Sequence, residues 1–116
     1  MSEEFPARLG SLTSLEILTM EEFWDEQRAW SEKTFGHGGP EGALKHLKKE
    51  AEEALEKPDD LEEYADLLFL TLDSARRAGF SYRQLLRAIS AKLIINKNRR
   101  WGPRIPGEPC EHIRDS

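Results

Sequence analysis

The chain has 116 residues, the size of one ordinary domain, and we expect a single domain over 1–116. Its net charge of -5 argues against a protein that binds nucleic acid, because such proteins are usually basic. No apolar run approaches the roughly 20 residues that cross a bilayer, and no signal-peptide pattern is seen, so we expect no membrane partner. The single cysteine, Cys110, cannot form an internal disulfide, which favours a reducing, cytoplasmic setting.

The first part of the chain predicts an arm followed by an aromatic helix. Residues 1–18 mix proline, glycine and hydroxyl residues with scattered leucines, so we interpret them as an N-terminal arm. Thr19 and Glu22 form a capping-box pattern, which predicts that a first helix begins there and ends before Gly36. Three of the aromatic residues on this helix are more often core than ligand-binding: Trp24, Trp30 and Phe35.

The next two helices are predicted to form a hairpin. Pro40 suits the first position of a second helix. A break at Pro58 separates that helix from a third, with Asp59 and Glu62 in capping-box register. The third helix runs to about Ala78 and is apolar around most of its middle, which predicts a central position covered by other helices or by a second subunit.

Gly79 indicates the end of the third helix, because glycine is typical of the position just after a helix end, and a fourth helix follows it. Its apolar residues at helical spacing predict a buried stripe: Leu85, Leu86, Ile89 and Leu93. Lys92, Asn96 and Arg99 align along one flank. Residues 102–116 are rich in glycine and proline and predict an irregular C-terminal tail.

Four acidic residues are placed to meet across the hairpin. Glu50 and Glu53 are three residues apart and share one face of the second helix. Glu63 and Asp66 do the same on the third. In an antiparallel hairpin centred on Pro58, the two pairs lie level with each other. Carboxylates so placed repel unless a cation neutralises them, and oxygen-only ligands select a hard cation such as Mg²⁺ or Mn²⁺.

Plainer interpretations compete with this one. A lone acidic pair at this spacing is usually a solvated helix face, but two mirrored pairs favour a metal site. A di-iron centre is disfavoured because neither pair contains histidine. His46, one turn before Glu50, is more often an exposed or hydrogen-bonded histidine than a partner of the metal ligands. Asp73 could extend the acidic strip. The basic flank is either a solvated helix end or a set of donors to substrate phosphates.

These residues carry a family resemblance. The pattern Glu50-x-x-Glu53, Glu63-x-x-Asp66 with a later Asn96-Lys97-x-Arg99-x-Trp101 resembles the MazG-like all-α nucleoside triphosphate pyrophosphohydrolases. The segments WSEKTFG, HLKKEAEE, LEEYADLLFLTLDSARRAGFS and EHIRD are similar to the dATP/dGTP diphosphohydrolase-like subgroup. The similarity spans roughly residue 20 to the C-terminus.

The resemblance implies Mg²⁺-dependent attack of water on the α-phosphorus of a nucleoside triphosphate, giving monophosphate and pyrophosphate. It implies that four acids hold the metal and act in catalysis: Glu50, Glu53, Glu63 and Asp66. It implies that three side chains bind phosphates: Lys92, Asn96 and Arg99. An aromatic residue near a phosphate site can stack a base, so Trp30 is a further expected substrate-binding residue.

We therefore predict an all-α, four-helix MazG-like bundle, completed by assembly into a homodimer or a dimer of dimers. The expected function is Mg²⁺-dependent hydrolysis of a (deoxy)nucleoside triphosphate, with dATP and dGTP as expected substrates and Mn²⁺ as an alternative cofactor. The competing hypothesis is a non-catalytic helical interaction module that keeps a vestigial or structural metal site.

Overall fold

Four helices make up the regular structure of residues 17–114, the part of the chain that the computed structural model describes. In chain order they are α1 (Met20–Phe35), α2 (Glu41–Glu56), α3 (Leu61–Arg77) and α4 (Tyr82–Asn98). The predicted all-α class is confirmed. The predicted arm, apart from its last two residues, lies outside the described residues. No helix within 17–114 is both long enough and apolar enough to pass through a membrane.

The chain divides into two compact units, Met1–Tyr82 and Arg83–Ser116. The first contains α1, α2 and α3. The second contains α4 after its first residue and the segment that follows it. The single domain expected from the sequence stays a prediction.

Local sequence explains where the helices begin and end. At α1, the Thr19 hydroxyl accepts from the Glu22 amide at 3.1 Å and the Glu22 carboxylate accepts from the Thr19 amide at 2.8 Å, so the predicted capping box is confirmed. At α3 the cap is Asp60 and not Asp59, as the Asp60 carboxylate accepts from the Glu62 amide at 3.0 Å. The prediction was one residue early because a turn bond from the Asp60 amide to the Lys57 carbonyl delays the helix.

The start of α2 and the end of α3 lie at or within one residue of their predicted positions. Pro40 is the N-cap residue of α2 instead of its first helical residue, a shift of one position. Gly79 follows the C-cap of α3 with φ of +100°, a left-handed conformation that glycine adopts without a steric penalty. Its predicted place just after the helix end is confirmed.

The core of the first unit forms around α3, which packs against both α1 and α2. Trp24, Leu70 and Leu72 are buried. The Phe69 ring is met edge-on by Phe23 and Trp30, at centroid distances of 5.7 and 5.8 Å. Its carbonyl oxygen accepts a 2.8 Å hydrogen bond from the Gln27 side chain, so α1 is fixed to α3 by polar and apolar contacts. The predicted central role of α3 holds within this unit.

The apolar stripe of α4 is not buried in this chain, contrary to the prediction. None of the residues of α4, all of which are described, is buried. Leu86, Ile89 and Leu93 are 46%, 56% and 56% exposed. Periodicity showed which face of the helix is apolar, but a stripe is buried only where another surface covers it.

The segment after α4 turns back on itself, which the prediction of an irregular tail did not include. Trp101 and His112 form an antiparallel bridge. The Gly102 amide donates to the Glu111 carbonyl at 2.8 Å, and the Ile113 amide donates to the Arg100 carbonyl at 2.7 Å. The proline-rich loop between Trp101 and His112 has no helical or strand periodicity, so the sequence pattern does not predict that the two ends of the loop pair.

Candidate active site

The α2–α3 hairpin brings three of the four predicted acids together. One carboxylate oxygen from each of Glu50, Glu53 and Glu63 lies within 4.8 Å of the other two. Glu63 is buried, Glu50 is half-buried and Glu53 is exposed, so the cluster opens to solvent on one side. This is the juxtaposition expected for acids placed symmetrically about a turn at Pro58. We call these three residues the acid cluster.

The acid cluster is short of compensating positive charge. The close approach of the Glu53 carboxyl group raises the pKa of Glu50, and burial and the negative charge of Glu53 raise it further. Burial raises the pKa of Glu63, with the charge of Glu53 acting in the same direction and Lys57 opposing it. Carboxyl groups whose pKa values rise together hold protons more readily than isolated ones, which is the signature of mutual repulsion.

Two carboxylate oxygens of the acid cluster have no hydrogen-bond partner among the described residues. They are Glu50 Oε2 and Glu63 Oε2, and both are buried. Buried polar atoms nearly always form a hydrogen bond, so two neighbouring buried oxygens without one need an explanation. A cation ligated by these oxygens would supply one. Because every donor is a carboxylate oxygen, the residues fit a hard divalent ion such as Mg²⁺ or Mn²⁺.

Asp66, the fourth predicted ligand, is not a member of the acid cluster. Its side chain is exposed and lines a cavity that also contains Glu50. Partial burial raises its pKa, and the charges of Glu62 and Glu53 add to the effect. Asp66 therefore lies within the electrostatic field of the cluster without sharing its oxygen-to-oxygen spacing.

His46 makes a direct contact with the acid cluster. Its Nε2 atom lies 3.1 Å from Glu50 Oε1, one helical turn away on α2. This contact holds one oxygen of Glu50 while the other oxygen remains unpartnered. The sequence left open whether His46 is an exposed or hydrogen-bonded histidine or a partner of the metal ligands. It is exposed, and the carboxylate that it contacts belongs to a predicted metal ligand, so both descriptions fit its position.

An aromatic cavity of about 310 Å³ adjoins the acids. Its polar side is formed by His46, Glu50, Asp66 and Asp73, and its apolar side by Trp30, Phe35, Phe69 and Leu70. The Trp30 ring is half exposed and meets Phe35 edge-on at 5.4 Å. Clefts that combine aromatic walls with a few polar groups are typical small-molecule sites. Trp30 is thus placed beside the acids, as its predicted role requires.

Asp73 does not extend the acidic strip, which corrects a possibility left open by the sequence. Its carboxylate accepts hydrogen bonds from Arg76 at 2.8 Å, from Arg77 at 3.0 Å and from the fully buried Ser31 hydroxyl at 3.2 Å. Burial by itself would raise the pKa of Asp73, but these hydrogen bonds outweigh it and hold that pKa below its usual range. The charge of Asp73 is therefore neutralised inside the protein.

The two arginines bonded to Asp73 are residues that the sequence analysis did not single out. Arg77 also donates to the Gly36 carbonyl at 3.2 Å, and Arg76 donates to Glu32 at 3.1 Å, so both join α3 to the end of α1. Their spacing from Asp73, three and four residues along a helix, is the signal that could have found them.

The three predicted phosphate-binding residues lie in the second unit. Lys92 is exposed, and Asn96 and Arg99 are half-buried. Arg99 Nη1 donates to Asn96 Oδ1 at 3.4 Å, and the Asn96 carbonyl accepts from the Trp101 ring nitrogen at 2.9 Å. Asn96 and Arg99 are therefore in mutual contact, as their spacing predicts.

The all-α fold is shared with a solved MazG-like pyrophosphohydrolase, and this match places the chain in that class. The structure matches the cyanophage S-2L MazG-like pyrophosphohydrolase bound to dGDP and three catalytic Mn²⁺ ions per active site, with a TM-score of 0.69 and 33% sequence identity. The match covers 84% of this chain and 100% of that one.

The sequence comparisons specify the family. The family model for dATP/dGTP pyrophosphohydrolase matches residues 23–116, and the chain belongs to this family of hydrolases. The Eaa protein of Salmonella phage P22 is 50% identical over 90 residues. That alignment takes in 78% of this chain but only 28% of the Eaa protein, so the chain spans less than a third of this curated relative. The resemblance inferred from the sequence is confirmed.

Proposed function

We propose that this protein hydrolyses (deoxy)nucleoside triphosphates, with dATP and dGTP as the first substrates to test, to the monophosphate and pyrophosphate in a Mg²⁺-dependent reaction. The observation that carries the proposal is the acid cluster with its two orphaned, buried oxygens beside an aromatic cavity. Support for the substrate class comes from the dGDP bound to the MazG-like relative.

The acid cluster would hold the cation, with Asp66 as a further ligand or as the residue that orients water. When bound, Mg²⁺ or Mn²⁺ supplies positive charge that stabilises the negative charge developing on the phosphate oxygens. His46 keeps one oxygen of Glu50 occupied, and the other, which has no partner among the described residues, would be available to bind the cation. The carboxylates hold their geometry because they project from two helices that pack against each other.

Two kinds of residue predicted from the sequence would bind the substrate: polar and basic side chains for the phosphates, and an aromatic ring for the base. Lys92, Asn96 and Arg99 would donate charge-assisted hydrogen bonds to phosphate oxygens. Trp30 would stack the base, since its half-exposed ring lines the aromatic cavity. Water would attack the α-phosphorus and lose a proton to the solvent, a new phosphorus–oxygen bond would form there, and the bond to the oxygen bridging the α and β phosphorus atoms would break. Pyrophosphate leaves with that oxygen.

We propose further that the chain acts as a homodimer or a dimer of dimers. Large apolar side chains are exposed on both α3 and α4 of the single chain: Leu61, Leu68, Leu86, Ile89, Leu93, Ile94 and Ile95. Exposed apolar surface of this extent marks an interaction site, and a two-fold contact is the commonest way to cover it. Light scattering at micromolar concentration should give twice or four times the mass of one chain, and a single-chain mass would contradict the proposal. A cytoplasmic location stays a prediction.

The function is tested by incubating the protein with each nucleoside triphosphate and Mg²⁺ while pyrophosphate and orthophosphate are measured separately. Pyrophosphate should form in an amount equal to the monophosphate. Orthophosphate released from the γ position would contradict the proposed bond cleavage. The absence of any turnover, together with retained metal binding, would favour the non-catalytic helical module.

Two variants on α2 test whether the activity belongs to the acid cluster. Glu53→Gln removes a ligand charge at almost constant volume and should abolish pyrophosphate release. Glu52→Gln is the matched control, because Glu52 is an exposed neighbour of Glu53 that lies outside the cluster. Equal activity losses in the two variants would contradict a metal site at this position.

A further inference from the structure

The C-terminal segment carries positively charged residues back toward the end of α4. The bridge pairs Trp101 with His112, and the bond from the Ile113 amide to the Arg100 carbonyl extends the pairing by one residue. The next residues along are Arg99 on one side and Arg114 on the other. Two guanidinium-bearing residues therefore come to the same end of the bridge. In antiparallel pairing, like charges facing each other are destabilising unless something lies between them.

The aromatic rings of the two bridged residues lie in contact with each other. Trp101 and His112 meet edge-on at 6.0 Å. Burial lowers the pKa of His112, and the positive charges of Arg99, Arg114 and Lys92 lower it further. Three cationic side chains thus act on a single imidazole, from α4, from its C-terminal end and from the returning segment.

No carboxylate of the described residues forms an ion pair with these three cations, Lys92, Arg99 and Arg114. Glu111 acts on His112 in the opposite direction but less strongly than the three cations. The unit Arg83–Ser116 contains eight lysine and arginine residues against three aspartate and glutamate residues, in a chain whose net charge is -5.

We propose that Arg114 and His112 complete an anion-binding site with Lys92 and Arg99, and that this site takes the polyphosphate chain of a nucleotide. The inference rests on the proposed function for its choice of ligand and gives a role to two residues of the EHIRD segment, to which the resemblance assigned none. A polyphosphate has several negative oxygens in a row, so it can bridge guanidinium groups that otherwise repel. Burial and the neighbouring cations lower the pKa of His112, which disfavours a further positive charge there, and its ring offers a nitrogen to the ligand.

Binding of inorganic tripolyphosphate to the full-length chain tests this site directly. The titration is done by calorimetry in the presence of EDTA, so the metal site does not contribute and the result does not depend on catalysis. Arg114→Ala should weaken binding about 10-fold or more, because hydrogen bonds to charged groups contribute roughly 1.5–3 kcal/mol. Arg114→Lys keeps the charge and should restore part of the affinity.

Arg104→Ala is the matched control, since it removes one positive charge from the same segment at a residue that does not belong to the bridge. It should change the tripolyphosphate affinity less than twofold. Equal losses for Arg104→Ala and Arg114→Ala would overturn the proposal by showing that only net charge matters. No measurable binding by the wild-type chain would also overturn it. If tripolyphosphate binds as expected but no nucleotide is hydrolysed, the site stands and the proposed function fails.

Discussion

Two acids on α3, Glu63 and Asp73, are buried to almost the same degree, with 7% and 6% of their surface exposed. Their surroundings differ completely. Asp73 is bonded to two guanidinium groups and a hydroxyl, and its pKa is lowered. Glu63 has one oxygen without any described partner, and its pKa is raised. Burial therefore does not show whether the charge of an acid is compensated within the chain, whereas the partners of the carboxylate do.

The physical reason lies in the cost of burying charge. Removing a carboxylate from water costs several kcal/mol, which nearby positive charge and hydrogen bonds can offset. Asp73 has that compensation within the chain. Glu63 and its neighbours in the acid cluster lack it, so the folded state keeps an electrostatic penalty that a bound cation would remove. Substitutions of Glu63, Asp73 and His46, together with the dependence of stability on pH, test this difference.

The largest effect is expected from Glu63→Gln. The substitution removes one negative charge and one ligand, and activity should fall by about 100-fold or more, the range seen when a group that stabilises transition-state charge is lost. The metal-free protein should be as stable as the wild type or more stable, because repulsion within the acid cluster is relieved. Pyrophosphate release and thermal melting in EDTA are the two measurements. Activity within tenfold of the wild type would contradict a ligand role for Glu63.

Asp73→Ala should have the opposite profile, with stability as its main effect. Removing the acid leaves two arginine side chains buried without their shared carboxylate, and breaking a buried pair in this way costs about 3–5 kcal/mol. Urea unfolding measures the loss. Asp25→Ala, an exposed acid on α1, is the control and should change the unfolding free energy by less than about 0.5 kcal/mol. A loss at Asp73 no larger than that of the control would show that the network does not stabilise the fold.

The sequence was informative about the hairpin because local rules determine it. Acids three residues apart share a helix face, and a turn at Pro58 brings the two faces level, so the acid cluster follows from spacing alone. Asp66 shows the limit of that geometry. Its residue number is as symmetrical as that of Glu63, yet its side chain is exposed and lies outside the cluster.

Features that depend on contacts distant in sequence could not be predicted. The bond between Ser31 and Asp73 spans 42 positions and exists only because α1 lies against α3. Glycine and proline identify the loop after α4 as irregular, but they carry no information about the pairing of Trp101 with His112. The exposed stripe of α4 shows that periodicity identifies an apolar face without identifying what covers it.

The dependence of stability on pH should show both kinds of acid in one experiment. The raised pKa values of Glu50, Glu63 and Asp66 mean that the folded state binds protons before the unfolded state does. Metal-free stability should therefore rise as the pH falls from neutral toward the usual carboxyl values of 4.5 and 3.8. The lowered pKa of Asp73 acts the other way: its contribution is present above 3.8 and is lost as the pH falls through its folded pKa.

Melting temperature measured in EDTA against pH should thus pass through a maximum on the acid side of neutrality. Saturating Mg²⁺ should remove the rise from neutral pH, because the bound cation replaces protons as the neutralising charge. The fall at lower pH should be smaller in Asp73→Ala, where the lowered pKa of Glu22 still contributes to it. A metal-free melting temperature that decreases steadily from pH 7 downward would show that repulsion in the acid cluster does not influence stability.

The smallest effect is expected from His46, which contacts the acid cluster through one oxygen of Glu50. Groups that orient a metal ligand in this way typically contribute 10- to 100-fold to metal affinity, and because His46 is itself largely exposed we expect a value of about tenfold for His46→Ala. His46→Gln can still donate a hydrogen bond to Glu50 and should recover part of the loss. The measurement is the Mn²⁺ dissociation constant from calorimetry, with His37→Ala as an exposed histidine control. If His46→Ala and His37→Ala bind Mn²⁺ equally well, the contact with Glu50 is an ordinary helix-surface interaction, and the geometry of the acid cluster is determined by the α2–α3 hairpin alone.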